Sequence, residues 1–436
     1  MRLRSCIEAL LSLFVFLLPW QTRFLVHTGE LSGGYWEYGT ISIYATDVVF
    51  GMLFFAFCVW MLREKKWKET LSLLATKALL WYVFFIFWGV LISFTALIPS
   101  LSFYHLLRVT EFFACIVILA LFPISYKKIF LFFVMGALIQ SVIAIVEFCF
   151  FVTLESKWLG TSAHYAWQLG DAVVETDTAR FLRSYAAFPH PNILGGYLFL
   201  AIIFCMGLYH DMVSSLKKHS TCLIAVILSA GLFFSFSRSA WLALVFGCFI
   251  LISLARSTLR RLLPPLFGVV LTFIALGFLY SDLVATRVLA SGRLESISLE
   301  QRNDAYHDQR LIAAHWFLGV GFGNATYALW NQNPTLPSYA YQPPHNTFLL
   351  TTLETGIVGA YFLIQFFVEI FMGTLRSLRK QRDPMMMVAL TALIGLIIIS
   401  FLDHYLWTLP VGMIMLGIPV GMLIRAWRNG RPILIL

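Results

Sequence analysis

Charge is scarce in this chain. Only 12% of its 436 residues are charged, while 60% are hydrophobic. Soluble domains carry about 25% charged residues, so a soluble fold is excluded and an integral membrane protein is indicated. Cysteine is sparse as well, and none of it lies in a long polar loop. Cys6, Cys58, Cys115, Cys149, Cys205, Cys222 and Cys248 all fall in or at the ends of apolar segments. Neither a disulfide framework nor a cysteine zinc site is implied. No segment repeats at a fixed period and no tract is of low complexity. The run Gly319-Val-Gly-Phe-Gly323 has the glycines of a nucleotide loop but no preceding strand, and no βαβ unit can be drawn around it. It reads as a tight turn returning a loop to the membrane.

Long apolar runs are what the sequence has in place of charge. Stretches of roughly 20 residues recur, each enough for one helical span, and backbone groups in lipid must be satisfied within each helix. The expectation is an all-α polytopic membrane protein, one domain over 1–436 with about twelve spans. They fall near 7–26, 41–62, 74–98, 106–125, 129–152, 189–209, 220–236, 239–255, 262–281, 346–371, 385–402 and 406–425. Arg2 and Arg4 precede the first, which has no small-x-small cleavage site, so it reads as an uncleaved span. The net charge of +9 does not point to nucleic acid, because the basic residues cluster in short loops such as Arg63 to Lys68 and Arg376 to Arg382. That is the positive-inside pattern. Both termini are expected in the cytoplasm, and the two long loops, 153–188 and 282–344, outside. A chain that keeps its polar mass on one face is expected to work there.

The second loop contains a readable helix. Ser298-Leu-Glu-Gln301 fits a capping box, and Ala305, Ile312, Ala313 and Trp316 follow at helical spacing up to Phe317. Asp304 and Asp308, one turn apart beside His307, have the spacing of a shared metal, but a solvated face with internal ion pairs is the better account of them. Arg302, in the first turn, has backbone N–H groups beside it that favour anions; Arg310 is a second candidate. Arg238, in Ser235-Phe-Ser-Arg-Ser239 between the seventh and eighth spans, is either a snorkelling anchor or an anion site. These spans are expected to form a tight hairpin. His345 follows Pro343-Pro344 at the head of a span, either as a cap or as a base poised near neutral pH. His190 in Phe188-Pro-His-Pro-Asn192 and His404 beside Asp403 occupy similar outer ends. Glu111, Glu147 and Glu354 lie within spans, as a proton path or as partners for arginines and backbone groups.

Three segments together resemble the O-antigen ligase family of bacterial envelopes. They are Ser237-Arg-Ser-Ala-Trp-Leu242, Arg302-Asn-Asp-Ala-Tyr306 with Trp316-Phe-Leu-Gly-Val-Gly-Phe-Gly323, and His345-Asn followed by Leu-Glu-Thr-Gly-Ile-Val-Gly359. Phe188-Pro-His-Pro-Asn192 with Gly195-Gly196 also fits. Tyr306 stands where the family often has Trp. The resemblance covers roughly 188–360.

It implies a GT-C-like fold and an inverting, metal-independent glycosyl transfer from an undecaprenyl-pyrophosphate-linked glycan onto a lipid A-core or related acceptor. It also implies residence in the bacterial inner membrane, with no cofactor and no nucleic-acid partner. Arg238 and Arg302 would bind the pyrophosphate and His345 would act on the acceptor. Arg310, Asn346, Tyr306, His190 and Glu354 are expected to line the substrate site, and Trp330, Tyr339 and Tyr341 offer flat faces to sugar rings or pack the loop. A polymerase and a protein O-oligosaccharyltransferase of the same superfamily stay open. A lipid-linked sugar transporter is the reading from another class; it calls for internal repeats and midplane ionisable groups.

Overall fold

The computed structural model describes residues 2–176, 179–210, 212–254, 259–289, 309–381 and 383–429. They form a helical bundle with small two-stranded sheets at one end. In chain order the bundle helices are α1 (Arg2–Leu17), α2 (Ala45–Arg63), α4 (Lys77–Thr95), α5 (Pro99–Leu121), α6 (Tyr126–Phe150), α7 (Pro191–His210), α8 (Ser215–Phe234), α9 (Arg238–Leu254), α10 (Leu259–Leu279), α14 (Thr347–Lys380), α15 (Pro384–Ser400) and α17 (Pro410–Asn429). Among the described residues, nine helices are long and apolar enough to cross a membrane, and α9 and α15 are shorter apolar helices. Each expected span thus meets a helix. Short helices complete the set: α3 (Trp67–Leu74), α11 (Ser281–Leu289), α12 (Gln309–Ala314), α13 (Ala325–Gln332) and α16 (Tyr405–Thr408).

The first expected span runs too far. Pro19 follows the end of α1 at Leu17, and the chain turns into strand β1 (Arg23–His27), which pairs antiparallel with β4 (Ile41–Tyr44). Apolar residues of β1 such as Phe24 and Val26 are exposed, so composition alone made the strand look like a span. This hairpin leans on the 326–342 segment: Trp36 donates to Thr326 at 3.1 Å, Tyr38 to Gln342 at 2.8 Å, and Trp330 to Ser32 at 3.0 Å. Tyr341 is buried and donates to the Asn333 carbonyl, so it packs the loop, whereas Tyr339 is exposed.

α8 and α9 do not pack as a hairpin. α7 lies between them, with α8 against α6, α7 and α10, and α9 against α7 and α15. The wedge is possible because a side chain on Gly195 of α7 would strike Ser237 at 2.7 Å.

The glycine turn closes as expected, and the reason lies in the partner helix. Gly319, Gly321 and Gly323 have φ of +76°, +94° and +69°, and α14 is broken at Gly356 with φ +65° and ψ −177°. The break frees two carbonyls for the turn: Val320 N–H donates to Leu353 and Gly321 N–H to Glu354, both at 3.0 Å. Trp316 in turn accepts from Ile357 at 2.8 Å. Only glycine adopts that region of φ and ψ readily.

Candidate functional site

The carboxylates within spans hold the scaffold. Glu111 pairs with Arg108 at 3.0 Å, and Arg108 also meets Asp47 at 2.7 Å. Glu147 accepts the N–H groups of Tyr185 and Ala186 at 2.9 and 2.8 Å and so pulls the 153–188 loop onto the bundle. Glu354 accepts from the Trp407 indole at 2.7 Å. It forms part of the wall of a crevice shared with Tyr38, His105, Trp407 and Thr408. Asn346, the other polar residue singled out beside His345, caps α14, its side chain accepting from Phe348 and Leu349 N–H at 2.9 and 3.1 Å.

His345 stands directly before that cap. Its ring centroid lies 5.1 Å from that of His404, and one ligand atom each of His345, Asp403 and His404 lie within 4.8 Å of one another. Asp403 is 4% exposed and His404 8%. They sit in the bend between α15 and α16. Thr347 ties this bend to the head of α14 by donating to the Asp403 carbonyl at 2.9 Å. The Tyr38 ring meets His404 edge-on at 6.0 Å.

His190 belongs to the same electrostatic group. Burial, then the charge of Arg183, pushes its imidazole down to about 3, with the Asp403 charge opposing. Burial also takes His404 down to about 4, against the pull of Asp403. Burial pushes the Asp403 carboxyl up, but the His404, His345 and His190 rings and the Asn192 amide outweigh it and leave it below its usual value. Burial thus keeps the His190 and His404 imidazoles neutral at neutral pH, beside the Asp403 carboxylate.

From Asp403 a chain of hydrogen bonds crosses to the α8–α9 turn. Asn192 donates through Nδ2 to Asp403 Oδ2 at 2.7 Å and accepts through Oδ1 from Arg183 Nη2 at 2.6 Å. Arg183 Nε then donates to the Ser235 carbonyl at 2.9 Å. The next carbonyl, of Phe236, accepts from Arg287 Nε at 2.9 Å, and the Arg287 carbonyl accepts from Arg238 Nη1 at 3.4 Å. Arg183 and Arg287 are 5% and 6% exposed. Phe236 holds a φ of +46°, a conformation uncommon for an aromatic residue. Three guanidiniums thus gather around the turn from which α9 starts, where the N-terminal helix dipole also favours anions.

Of the residues expected to act, the structure brings His345 and His190 into one cluster and puts Arg238 in the arginine group linked to it. Arg302 and Tyr306 lie outside the described residues, as does the side chain of Arg310. The part of the expected loop helix that is described is α12, Gln309–Ala314. Arg183, Arg287 and Asn192 were not singled out from sequence. Asn192 belongs to the Phe188-Pro-His-Pro-Asn192 segment, and no pattern in the sequence surrounds Asp403-His404.

Residues 223–364 match the family model described as O-antigen ligase. A weak match to a model described as sugar (and other) transporter covers residues 311–426. No curated protein matches the chain. The first match includes Arg238, Arg287 and His345. Arg183, His190, Asn192, Asp403 and His404 lie outside it.

Proposed function

We propose, from the premise that this chain belongs to the O-antigen ligase family, that it is a glycosyltransferase acting at the periplasmic face of a bacterial inner membrane. Its donor is a glycan on undecaprenyl pyrophosphate, and its acceptor is lipid A-core or a related envelope glycolipid. Both termini are cytoplasmic. The loop end of the bundle, with the β1–β4 hairpin and residues 309–344, faces outward, as the distribution of basic residues supports.

The observation that carries the reading is the hydrogen-bonded path from Asp403 through Asn192 and Arg183 to the turn that starts α9. It joins an imidazole group to an arginine group, the two halves that a displacement at a sugar carbon needs. In the proposed step an acceptor hydroxyl attacks the anomeric carbon and gives its proton to His345. The bond from that carbon to the pyrophosphate oxygen breaks on the opposite face, so the configuration inverts. The departing diphosphate carries a concentrated negative charge, which Arg238, Arg287 and the N-terminus of α9 stabilise as it develops. The family's pattern adds Arg302 as a pyrophosphate ligand, and Arg310 is a further candidate. With guanidiniums supplying the charge, the step uses no metal. Asp403 sits where it can hold the imidazolium that forms on His345.

The scaffold roles of Glu111, Glu147 and Glu354 favour this reading over a transporter, which needs ionisable groups available along a path. The test is transfer by purified protein in liposomes loaded with lipid-linked glycan and candidate acceptors, with products identified by mass. The expected product is a glycosylated lipid, lost with His345→Ala. Retained transfer in that variant would remove His345 from the chemistry. A lengthened lipid-linked glycan or a glycosylated protein as product would assign the polymerase or protein-transferase activity instead.

A further inference from the structure

His345, Asp403 and His404 offer two imidazole nitrogens and one carboxylate oxygen, all within 4.8 Å of one another, the one such group among the described residues. This donor set is the kind that holds Zn²⁺ through three protein ligands with a fourth position open. Bonds of about 2.0–2.1 Å place tetrahedral ligand atoms roughly 3.3 Å apart, so at most about 1.5 Å of side-chain motion closes the set.

The surroundings of the ligands make a second, independent case. Metal ligands are held in orientation by neighbours that take up their remaining hydrogen-bonding capacity. Asp403 Oδ2 accepts from Asn192 Nδ2 at 2.7 Å and Oδ1 from the His404 N–H at 2.8 Å. Each oxygen keeps a lone pair beyond those bonds. His404 Nδ1 lies 3.0 Å from Thr408 Oγ1, and that hydroxyl lies 3.4 Å from the carbonyl of His404 itself. With the hydroxyl hydrogen directed to the carbonyl, Nδ1 donates to the hydroxyl oxygen and Nε2 is left with the lone pair a metal needs. His345 is fixed from the backbone side, between Pro344 and the cap residue Asn346. Mg²⁺ is poorly served here, since it demands octahedral oxygen ligands and keeps its waters.

We propose that His345, Asp403 and His404 form a binding site for Zn²⁺, and that the bound ion inhibits transfer by occupying the lone pair with which His345 takes the acceptor proton. Binding stands on the geometry alone; inhibition rests on the reading of His345 as the base.

The test uses the full chain in detergent, stripped with a chelator and titrated calorimetrically with Zn²⁺, with Mg²⁺ in parallel. The expected result is one saturable Zn²⁺ site per chain, weakened at least tenfold in Asp403→Asn and in His404→Gln, and no saturable Mg²⁺ site. Co²⁺ in place of Zn²⁺ is expected to give the visible spectrum of tetrahedral nitrogen and oxygen ligands. Absence of saturable Zn²⁺ binding to the unaltered protein overturns the proposal whether or not the variants fold. Undiminished binding in both folded variants also overturns it, by assigning the metal to surface histidines such as His27 or His219. In the transfer assay, Zn²⁺ is expected to inhibit over the range that fills the site, and chelator to restore activity. Binding at these ligands without inhibition keeps the site and refutes the inhibition, and with it the role of His345 as base.

Discussion

Asn192 gives its amide hydrogen to Asp403 at 2.7 Å and receives one from Arg183 at 2.6 Å. One side chain thus couples a carboxylate in the bend after α15 to a guanidinium that holds the α8–α9 turn. An amide suits this place because it donates and accepts at once; neither a carboxylate nor an aliphatic group does both. Asn192→Ala leaves a buried charge short of a partner on each side. Hydrogen bonds to charged groups contribute about 1.5–3 kcal/mol. Transfer by reconstituted Asn192→Ala is therefore expected to fall roughly 10- to 150-fold. Unchanged turnover would show that the two halves act independently.

Arg238→Lys keeps the positive charge but gives up the planar fork that binds phosphate through paired donors. Loss of a group that stabilises transition-state charge commonly costs about 100- to 1,000-fold in turnover. The lysine variant is expected to lose most of that, and Arg238→Ala all of it, measured as initial rates against donor concentration. Wild-type rates in the lysine variant would make Arg238 a membrane anchor rather than an anion ligand.

The imidazole cluster sets a pH dependence of stability. His404 is pushed down to about 4 and His190 to about 3, from 6.5. Between those values and 6.5 the unfolded chain binds more protons than the folded one, so stability rises with pH through that window and is lost on acidification. Asp403 has the same sign: its folded carboxyl lies below the ordinary value, so its contribution is present above that ordinary value and disappears as pH falls through the folded one. Each group adds a slope of up to about 1.4 kcal/mol per pH unit within its window. Thermal unfolding of chelator-treated protein is expected to shift to lower temperature as pH falls from about 7 towards 4.5, and His404→Gln to flatten that dependence. A flat profile for the unaltered protein would mean that the cluster is open to solvent.

Gly356 is expected to tolerate no side chain. Its φ of +65° with ψ −177° lies in a region essentially reserved for glycine, which costs other residues on the order of 1–3 kcal/mol. A Cβ there would also lie 2.0 Å from the Phe317 carbonyl oxygen. Gly356→Ala should lower the unfolding temperature and release the 319–323 turn, detectable as faster amide exchange at Val320 and Gly321. Wild-type exchange at both amides would sever the turn from the break in α14.

Span positions were legible because hydropathy over 20 residues reports lipid or core burial whatever the neighbours are. The same measure misread Arg23 to His27, where the apolar run belongs to an exposed strand rather than to a helix. Sequence singled out His345 through its long accompanying run, yet much of that run serves the backbone: Gly356 breaks the helix, Glu354 receives Trp407, and Asn346 caps. Asp403-His404 carried no such pattern, because a short bend between helices has no periodicity to betray it. Arg183 and Arg287 looked like loop charges; only the return of both loops to the α8–α9 turn shows what they hold.

α7 is buried within the protein along almost its whole length, and that constrains how the chain is assembled. Lipid solvates an apolar helix as well as leucine does, so the fit must come from close packing at small residues. Phe199 of α7 lies where side chains on Gly247 of α9 and Gly395 of α15 would be, and Gly207 of α7 admits Phe130 and Val388. The α15 residues among these are synthesised almost two hundred positions after α7. Until then the flank of α7 that will meet α15 is open to lipid. Asn192, at the head of α7, likewise waits for Asp403. The polar site is therefore closed by the late helices, and a chain truncated before α15 would insert α7 yet leave the Asn192 amide without its carboxylate.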